Sequence, residues 1–180
     1  LFFGTTEQSS SANYKDKISD ITEDLKVRVN EISEDLDPTS LKNVQQTFVE
    51  LNDLRAENGL RRMEWDDRAY EMAVSRSKDM ADRNYFSHLT PEGKCMQTLK
   101  SQYGFSSGET VAENIWMISG GLANPDEALT SWLGSQGHYT NLFYNDHVKG
   151  AIGCYGQYCV FNGVHNDAYG LGAAPCSMYD

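Results

Sequence analysis

The chain has 180 residues, a hydrophobic fraction of 39% and a formal net charge of −11, from 26 acidic and 15 basic residues. A chain of this length can bury one core without metal or crosslinks, and no apolar run approaches the ~20 residues of a membrane span. The acidic balance, with no basic stripe, excludes nucleic acid as a partner. Because the sequence begins at Leu1 rather than Met, we expect that a leader, an anchor or a larger precursor has been removed.

The N-terminal part of the chain predicts a tether followed by a helix. Residues 1–13 are mostly small and polar, which is typical of a flexible tether. Over residues 14–37, apolar side chains recur every three or four positions, which predicts an amphipathic helix with a narrow apolar seam. The seam comprises Ile18, Ile21, Leu25, Val29, Ile32 and Leu36. Such a seam packs on its own domain or pairs with a second chain. We favour packing on the domain, and a monomer or weak dimer.

Two further amphipathic helices are predicted, at about 41–58 and 67–84. Thr39 or Ser40 can cap the first helix and Asp66 the second, while Asn58-Gly59 supplies a left-handed stop for the first. The positions expected to be buried are Val44, Phe48, Leu51 and Leu54 in the first helix, and Ala69, Met72, Ala73, Ser77 and Met80 in the second.

The second half of the chain changes from helices to strands. A short helix is predicted at about 95–103, residues 112–118 fit a strand or a single helical turn, and Asn124-Pro125 begins another helix. Strands are then predicted at 148–155, 158–164 and 168–173, with a hairpin turn at Gly156-Gln157 between the first two. Helices followed by antiparallel strands predict an α+β domain with helical layers on a sheet.

The four cysteines contain no C-x-x-C pair, which disfavours a zinc ribbon or a thioredoxin-like centre. An even number without metal-ligand spacing favours two disulfides in an oxidising compartment, with three possible connectivities. Of these we prefer Cys154–Cys159 across the hairpin and Cys95–Cys176 between the body and the C-terminus. Four reduced cysteines are the alternative.

Three loop-like stretches each carry a titratable group: His88, Glu113 and His138. Each residue also has a purely structural interpretation. His88 can be solvated, Glu113 can satisfy a buried backbone donor, and His138 beside Gly137 can form a helix C-cap. His147 and His165 have the same side chain and also fall in turn regions, so residue type alone does not distinguish them.

The order of the motifs is more specific than any one of them. In chain order they are Leu51-Asn52-Asp53-Leu54-Arg55, Met63-Glu64-Trp65-Asp66, Tyr85-Phe86-Ser87-His88, Ala112-Glu113-Asn114-Ile115, Trp132-x-x-Ser135-x-Gly137-His138-x-x-Asn141 and Val148-Lys149-Gly150-Ala151-Ile152-Gly153. This order closely resembles the bacterial-type branch of the CAP superfamily, which comprises the cysteine-rich secretory, antigen 5 and pathogenesis-related proteins, also called SCP-like extracellular proteins. The resemblance covers about 41–173 and assigns a CAP domain to residues 41–180.

The resemblance implies a three-layer α-β-α sandwich with a binding cleft formed by His88, Glu113, Ser135 and His138. In that alignment, His88 and His138 match the two cleft histidines and Glu113 matches the first cleft acid. Ser135 stands where many eukaryotic members have a second glutamate. The family's usual glycine before the first acid is Ala112 here, and its usual arginine after the second histidine is Tyr139.

Two imidazoles and a carboxylate suit an open zinc site completed by water, with His88 and His138 as ligands and Glu113 as a ligand or a base. The chain has no H-E-x-x-H motif and no G-x-S-x-G motif, so neither a standard metalloprotease nor a serine hydrolase is indicated. Glu113, His138 and Ser135 are candidate catalytic residues, and we assign a catalytic role to none of them.

We therefore expect a secreted, extracellular or cell-surface binding module without enzymatic activity, whose ligand is a lipid, a glycan or a cell-envelope or host molecule. Five aromatic residues near the cleft stretches suggest an apolar groove: Tyr85, Phe86, Trp116, Trp132 and Tyr139. One alternative is a hydrolase or protease that uses the cleft. Another is an interaction protein that acts through the N-terminal helix.

Overall fold

The computed structural model describes residues 7–166 and Cys176. The chain divides into two compact units, Leu1–Asp37 and Pro38–Asp180. The division falls at the Asp37-Pro38 sequence, where the proline disfavours a helical conformation for the residue before it.

The first unit consists of helix α1 (Glu7–Leu36). The helix begins within the segment predicted to be a tether, so that prediction is wrong for residues 7–13. This stretch contains neither glycine nor proline, the two residues that disfavour a helix most, so a helix nucleated by the seam can extend through it. Packing of the seam on the domain stays a prediction.

The second unit opens with two helices whose ends follow from local sequence. Helix α2 (Leu41–Glu57) begins where the Ser40 hydroxyl accepts a hydrogen bond from the Asn43 amide. Helix α3 (Asp67–Arg83) begins where the Asp66 carboxylate accepts hydrogen bonds from two backbone amides. It ends at Asn84, whose φ of 52° lies in the left-handed region that asparagine tolerates better than most residues. Both helices are confirmed.

Four shorter helical segments follow. Helix α4 (Met96–Leu99) continues as a 3-10 turn (Lys100–Tyr103). Helix α5 (Pro125–Leu133) has the predicted asparagine cap and proline start, and the chain then begins a separate helix, α6 (Gln136–Leu142). The new start places His138 in the first turn of α6. The C-cap interpretation of His138 was therefore wrong, because the preceding helix ends at Gly134.

The sheet has four strands in the order β1-β3-β4-β2. They are β1 (Glu64–Trp65), β2 (Glu109–Met117), β3 (Lys149–Tyr155) and β4 (Tyr158–Asn166). Strand β1 runs parallel to β3, and the other pairs are antiparallel. The segment at 112–118 is thus a strand rather than a helical turn. The strand predicted at 168–173 lies outside the described residues.

Helices cover both faces of the sheet, which gives the predicted three-layer α-β-α architecture. Gly153 lies against α3 so closely that a Cβ there would be 2.6 Å from the Val74 backbone nitrogen. The next residues on either side, Ile152 and Cys154, pack on the other face in a core cluster with Trp132. Side chains that alternate between two helical layers explain why β3 and β4 are buried along almost their whole length.

Both predicted disulfides are confirmed. Cys154–Cys159 crosses the β3–β4 hairpin with a sequence separation of 5, and Cys95–Cys176 has a separation of 81. Cys95 is the N-cap residue of α4, so the long-range bridge fixes the chain near its C-terminus to the start of that helix.

The two disulfides should differ in their contribution to stability. The loop-entropy model gives about 4.5 kcal/mol for the longer loop and about 2 kcal/mol for the shorter one. We expect Cys95→Ala/Cys176→Ala to lower the free energy of unfolding by more than Cys154→Ala/Cys159→Ala, measured by urea denaturation. Equal losses in the two variants would contradict the entropic argument.

Candidate functional site

A cavity of about 350 Å³ lies beside strand β2, at the edge of the sheet. Its lining residues are His88, Ala112, Glu113, Asn114, Ser135, Gly137, His138 and Asn141. The four cleft residues expected from the sequence therefore line one cavity. None of the five aromatic residues expected to form an apolar groove is among the lining residues, and Trp132 is fully buried.

Three parts of the chain supply these side chains. His88 follows α3, on the segment that begins at the left-handed Asn84. Glu113 lies at the centre of β2, and His138 lies in the first turn of α6. Ser135 is the N-cap residue of α6 by position, but its hydroxyl makes no capping hydrogen bond.

A buried ion pair fixes the floor of the cavity. The Arg76 Nε donates to one carboxylate oxygen of Glu113 at 3.3 Å, and the other oxygen lies 2.9 Å from the His88 Nδ1. The two paired side chains, Arg76 and Glu113, are only 3% and 1% exposed. Both oxygens of Glu113 are thus engaged, and the carboxylate orients the His88 ring.

Arg76 was not identified from the sequence, although it lies on the apolar face of α3 between Ala73 and Met80. A charged residue in that position was the available signal, because charges are rarely buried unless they are paired. Burial alone would lower the pKa of the Arg76 guanidinium, but the neighbouring Glu113 and Tyr85 outweigh it and raise that pKa. Arg76 also donates to the carbonyl of Ser87 at 2.9 Å, which ties α3 to the residue before His88.

The second imidazole of the cavity favours its neutral form. Burial lowers the pKa of His138, and the positive charge of a protonated His88 would lower it further. A neutral imidazole can act as a metal ligand or a hydrogen-bond partner.

A chain of hydrogen bonds leads from the cavity into the core. The side-chain amide of Asn114 donates to the backbone carbonyl of His138 at 3.0 Å. The side-chain amide of Asn141 donates to the side-chain oxygen of Asn114 at 2.9 Å. The Asn141 side-chain oxygen in turn lies 3.0 Å from the Nε2 of His147, so this ring nitrogen must carry the proton. His147 is thereby a positioning residue for the first turn of α6.

His147 is fully buried, with its ring against Gly163, where a Cβ would lie 2.4 Å from the Nε2. Burial first, and then the charges of His165 and Arg55, lower the pKa of His147 to about 3. Within the described part of the chain, its Nδ1 has no hydrogen-bond partner, so protonation there would bury an unpaired charge. The sequence showed His147 only as one of four similar histidines.

His88 and His138 are the residues of the cavity that could hold a metal ion. Their donor chemistry fits a metal that prefers imidazole, and a carboxylate on the far nitrogen of His88 is the usual support of such a ligand. Glu113 fits poorly as a third ligand, because its side chain is only 1% exposed and its oxygens are bonded to Arg76 and His88. Consistently, no group of three His, Cys, Asp or Glu residues suited to a metal occurs among residues 7–166 and Cys176.

The layered fold and the edge cavity with two histidines define a CAP domain, and the sequence comparison agrees. The sequence model of the Cysteine-rich secretory protein family matches residues 49–165, so the chain belongs to that family. No helix within the described residues is long and apolar enough to cross a membrane.

Similar proteins come from bacteria. YkwD of Bacillus subtilis is 35% identical over 107 residues, covering 58% of this chain and 40% of YkwD. YlbC of the same organism, described as a membrane protein, is 29% identical over 111 residues, covering 62% of this chain and 31% of YlbC. The chain thus spans less than half the length of either relative.

Two solved structures share the fold. An extracellular protein of Bacillus anthracis that contains an SCP domain has a TM-score of 0.61 and 29% identity, covering 69% of this chain and 40% of that one. An outer surface protein of Borrelia burgdorferi has a TM-score of 0.57 and 16% identity, covering 70% of this chain and 92% of that one. At 16% identity, the second likeness shows the fold alone.

Removing one partner of the buried Arg76–Glu113 pair should lower the stability of the fold more than removing one partner of a more exposed pair. In Glu113→Gln the buried guanidinium loses its nearer charged partner and keeps only Asp79, at 3.6 Å, so we expect the free energy of unfolding to fall by about 3 kcal/mol. Glu109→Gln is the matched control, on the same strand and also paired with an arginine, Arg68, which is 34% exposed. We expect a loss of about 1 kcal/mol or less there by chemical denaturation. Equal losses of stability in the two variants would show that burial does not make the Arg76–Glu113 pair more costly to break than the Arg68–Glu109 pair.

The buried His147 should make the protein sensitive to acid. Its pKa is about 3 in the folded chain and about 6.5 in the unfolded chain, so between these values only the unfolded state takes up the proton. Its contribution is therefore complete above about pH 6.5 and is lost as the pH falls towards 3, by at most about 1.4 kcal/mol per pH unit.

We expect His147→Phe, which keeps a ring against Gly163, to lose less stability than the wild type between about pH 7 and pH 5. Urea denaturation at the two pH values measures the difference. The same pH dependence in both proteins would show that His147 does not titrate with unfolding.

Proposed function

We propose that this chain is a secreted binding domain without enzymatic activity, which receives an extracellular ligand in the cavity between His88 and His138. The proposal depends on the burial and the hydrogen bonds of the Glu113 carboxylate. It is the only carboxylate among the lining residues, its side chain is 1% exposed, and both of its oxygens are engaged by Arg76 and His88. A carboxylate held in this way orients a neighbouring ring and does not abstract a proton from a substrate.

Among the described residues, no contact with a base activates Ser135 as a nucleophile. Its hydroxyl makes no capping hydrogen bond, and the Nδ1 of His88 is bonded to Glu113. Nucleophilic catalysis by serine depends on such a contact with a base. The lining side chains include imidazole, amide and hydroxyl groups, which can form hydrogen bonds with polar groups of a ligand.

An extracellular location is supported by the two disulfides, which form and persist in oxidising compartments. The Bacillus anthracis protein with the same fold is described as extracellular.

His88 and His138 would bind a divalent metal such as zinc, with water or the ligand filling the other positions. The lowered pKa of His138 and the carboxylate behind His88 support this assignment. A bound zinc ion would supply a positive charge that attracts a carbonyl or anionic oxygen of the ligand.

Calorimetric titration with zinc tests the metal site. We expect the wild-type chain to bind zinc and His88→Ala/His138→Ala to show no binding heat. The control is His165→Ala, which removes a histidine that does not line the cavity and should leave the binding intact. Binding that survives the double substitution would contradict the metal site.

Turnover assays test the absence of catalysis. Chromogenic ester and peptide substrates should be hydrolysed no faster by the wild type than by the His88→Ala/His138→Ala variant. Hydrolysis by the wild type that the double substitution abolishes would show that the cavity is an active site.

A further inference from the structure

The cavity contacts Glu113 through its main chain. The residue as a whole is 6% exposed, whereas its side chain is 1% exposed. Most of the surface that Glu113 exposes therefore belongs to its main chain. The carboxylate lies behind that surface, bound to Arg76 and His88.

The pairing of β2 explains this exposure. Strand β2 is the last strand of the sheet and pairs with β4 on one side only. In an antiparallel pair, alternate residues direct both N–H and C=O towards the partner strand, and the residues between them direct both groups away. On β2, the carbonyls of Glu109, Val111 and Ile115 accept hydrogen bonds from side chains, so the odd-numbered residues point away from β4.

Glu113 belongs to the same set, so its N–H and C=O point outwards as well. The carbonyls on either side are occupied: Gln97 donates to Val111 at 2.7 Å, and the Trp132 indole donates to Ile115 at 3.1 Å. Within residues 7–166 no hydrogen bond reaches the N–H or the C=O of Glu113 from beyond the strand ladder. The carbonyl of Glu113 therefore lies open between two occupied carbonyls, at the place where the cavity lies.

We propose that the cavity binds an extended peptide by pairing one of its residues with the main chain of Glu113. The Glu113 N–H donates to the carbonyl of that residue, and the Glu113 C=O accepts from the N–H of the same residue. This assignment rests on the proposed binding function and names the class of ligand. The peptide would add to the sheet as a strand that pairs through one residue only, because Gln97 and Trp132 already occupy the carbonyls of Val111 and Ile115.

The geometry favours a peptide over an acetylated sugar. In an extended residue the N–H and C=O on the two sides of the Cα point the same way, so both can reach Glu113 together. In a sugar acetamide the N–H and C=O belong to one trans amide and point in opposite directions. An acetamide can therefore satisfy only one of the two groups of Glu113.

Amide hydrogen exchange of the full chain, followed by NMR, tests the pairing. In the free protein we expect the Glu113 N–H to exchange faster than those of Ala112 and Asn114, which bond within the ladder. The probe is N-acetyl-trialanine N-methylamide, which should slow exchange at Glu113 by about tenfold or more near saturation. Methylating the central alanine nitrogen removes the donor to the Glu113 C=O and should weaken binding by about tenfold. N-acetylglucosamine is the sugar tested for comparison, and it should leave the exchange rate of the Glu113 N–H unchanged.

Two glycine variants complete the test. Gly137 lines the cavity and has open space around its Cβ position, so Gly137→Leu should fill the cavity and abolish the protection. Gly108→Leu is the control, since its position also has room and lies outside the lining. Protection of Glu113 that survives Gly137→Leu, or that the sugar produces equally, would overturn the pairing.

The zinc titration separates the two proposals. Zinc binding by His88 and His138 without protection of Glu113 by the peptide would overturn the peptide pairing and leave the metal-binding cleft in place. Loss of both would overturn both.

Discussion

The ion pair between Arg76 and Glu113 is the interaction on which the cleft depends. It crosses from helix α3 to strand β2, and each partner holds a further part of the site. Arg76 donates a hydrogen bond to the carbonyl of Ser87, the residue before His88. The Glu113 carboxylate is hydrogen-bonded to the His88 ring. The pair is buried, so removing one partner is costly, because a buried charge that loses its nearest partner is poorly compensated. On the opposite wall, the amide chain from Asn114 through Asn141 to His147 holds the first turn of α6. Each imidazole of the cavity is therefore placed by groups that lie behind it.

The role of Glu113 in the fold differs from the role that its sequence context suggests. A glutamate between two histidines suggests a base or a metal ligand when only the sequence is read. In the fold both of its oxygens are bonded within the protein, to Arg76 and His88, and its side chain is 1% exposed. A binding function that uses main-chain groups depends less on the side chain present than on the position of the strand at the edge of the sheet. The replacement of a second acid by Ser135 agrees with a cavity that binds through polar and main-chain groups.

The sequence predicted those features that depend on neighbouring residues. The starts of α2, α3 and α5 follow from Ser40, Asp66 and Asn124-Pro125, because a cap acts within its own turn. The sequence could not predict β1, which has only two residues and pairs in parallel with a distant strand. The order of the family motifs predicted four residues of the cavity, His88, Glu113, Ser135 and His138. It could not predict the burial of Arg76 or the edge position of β2, since both depend on contacts between segments far apart in the chain.

The bridge between Cys95 and Cys176 closes the chain into a covalent ring that contains β2, α5, α6 and the hairpin. Glu113 and His138 both lie within that ring, on either side of the exposed Gly120-Gly121 loop. A protease that cuts this loop opens the ring without separating its ends, so the two pieces stay linked through the sulfur atoms. In surroundings rich in proteases, a nicked copy would keep both walls of its cleft on a single molecule.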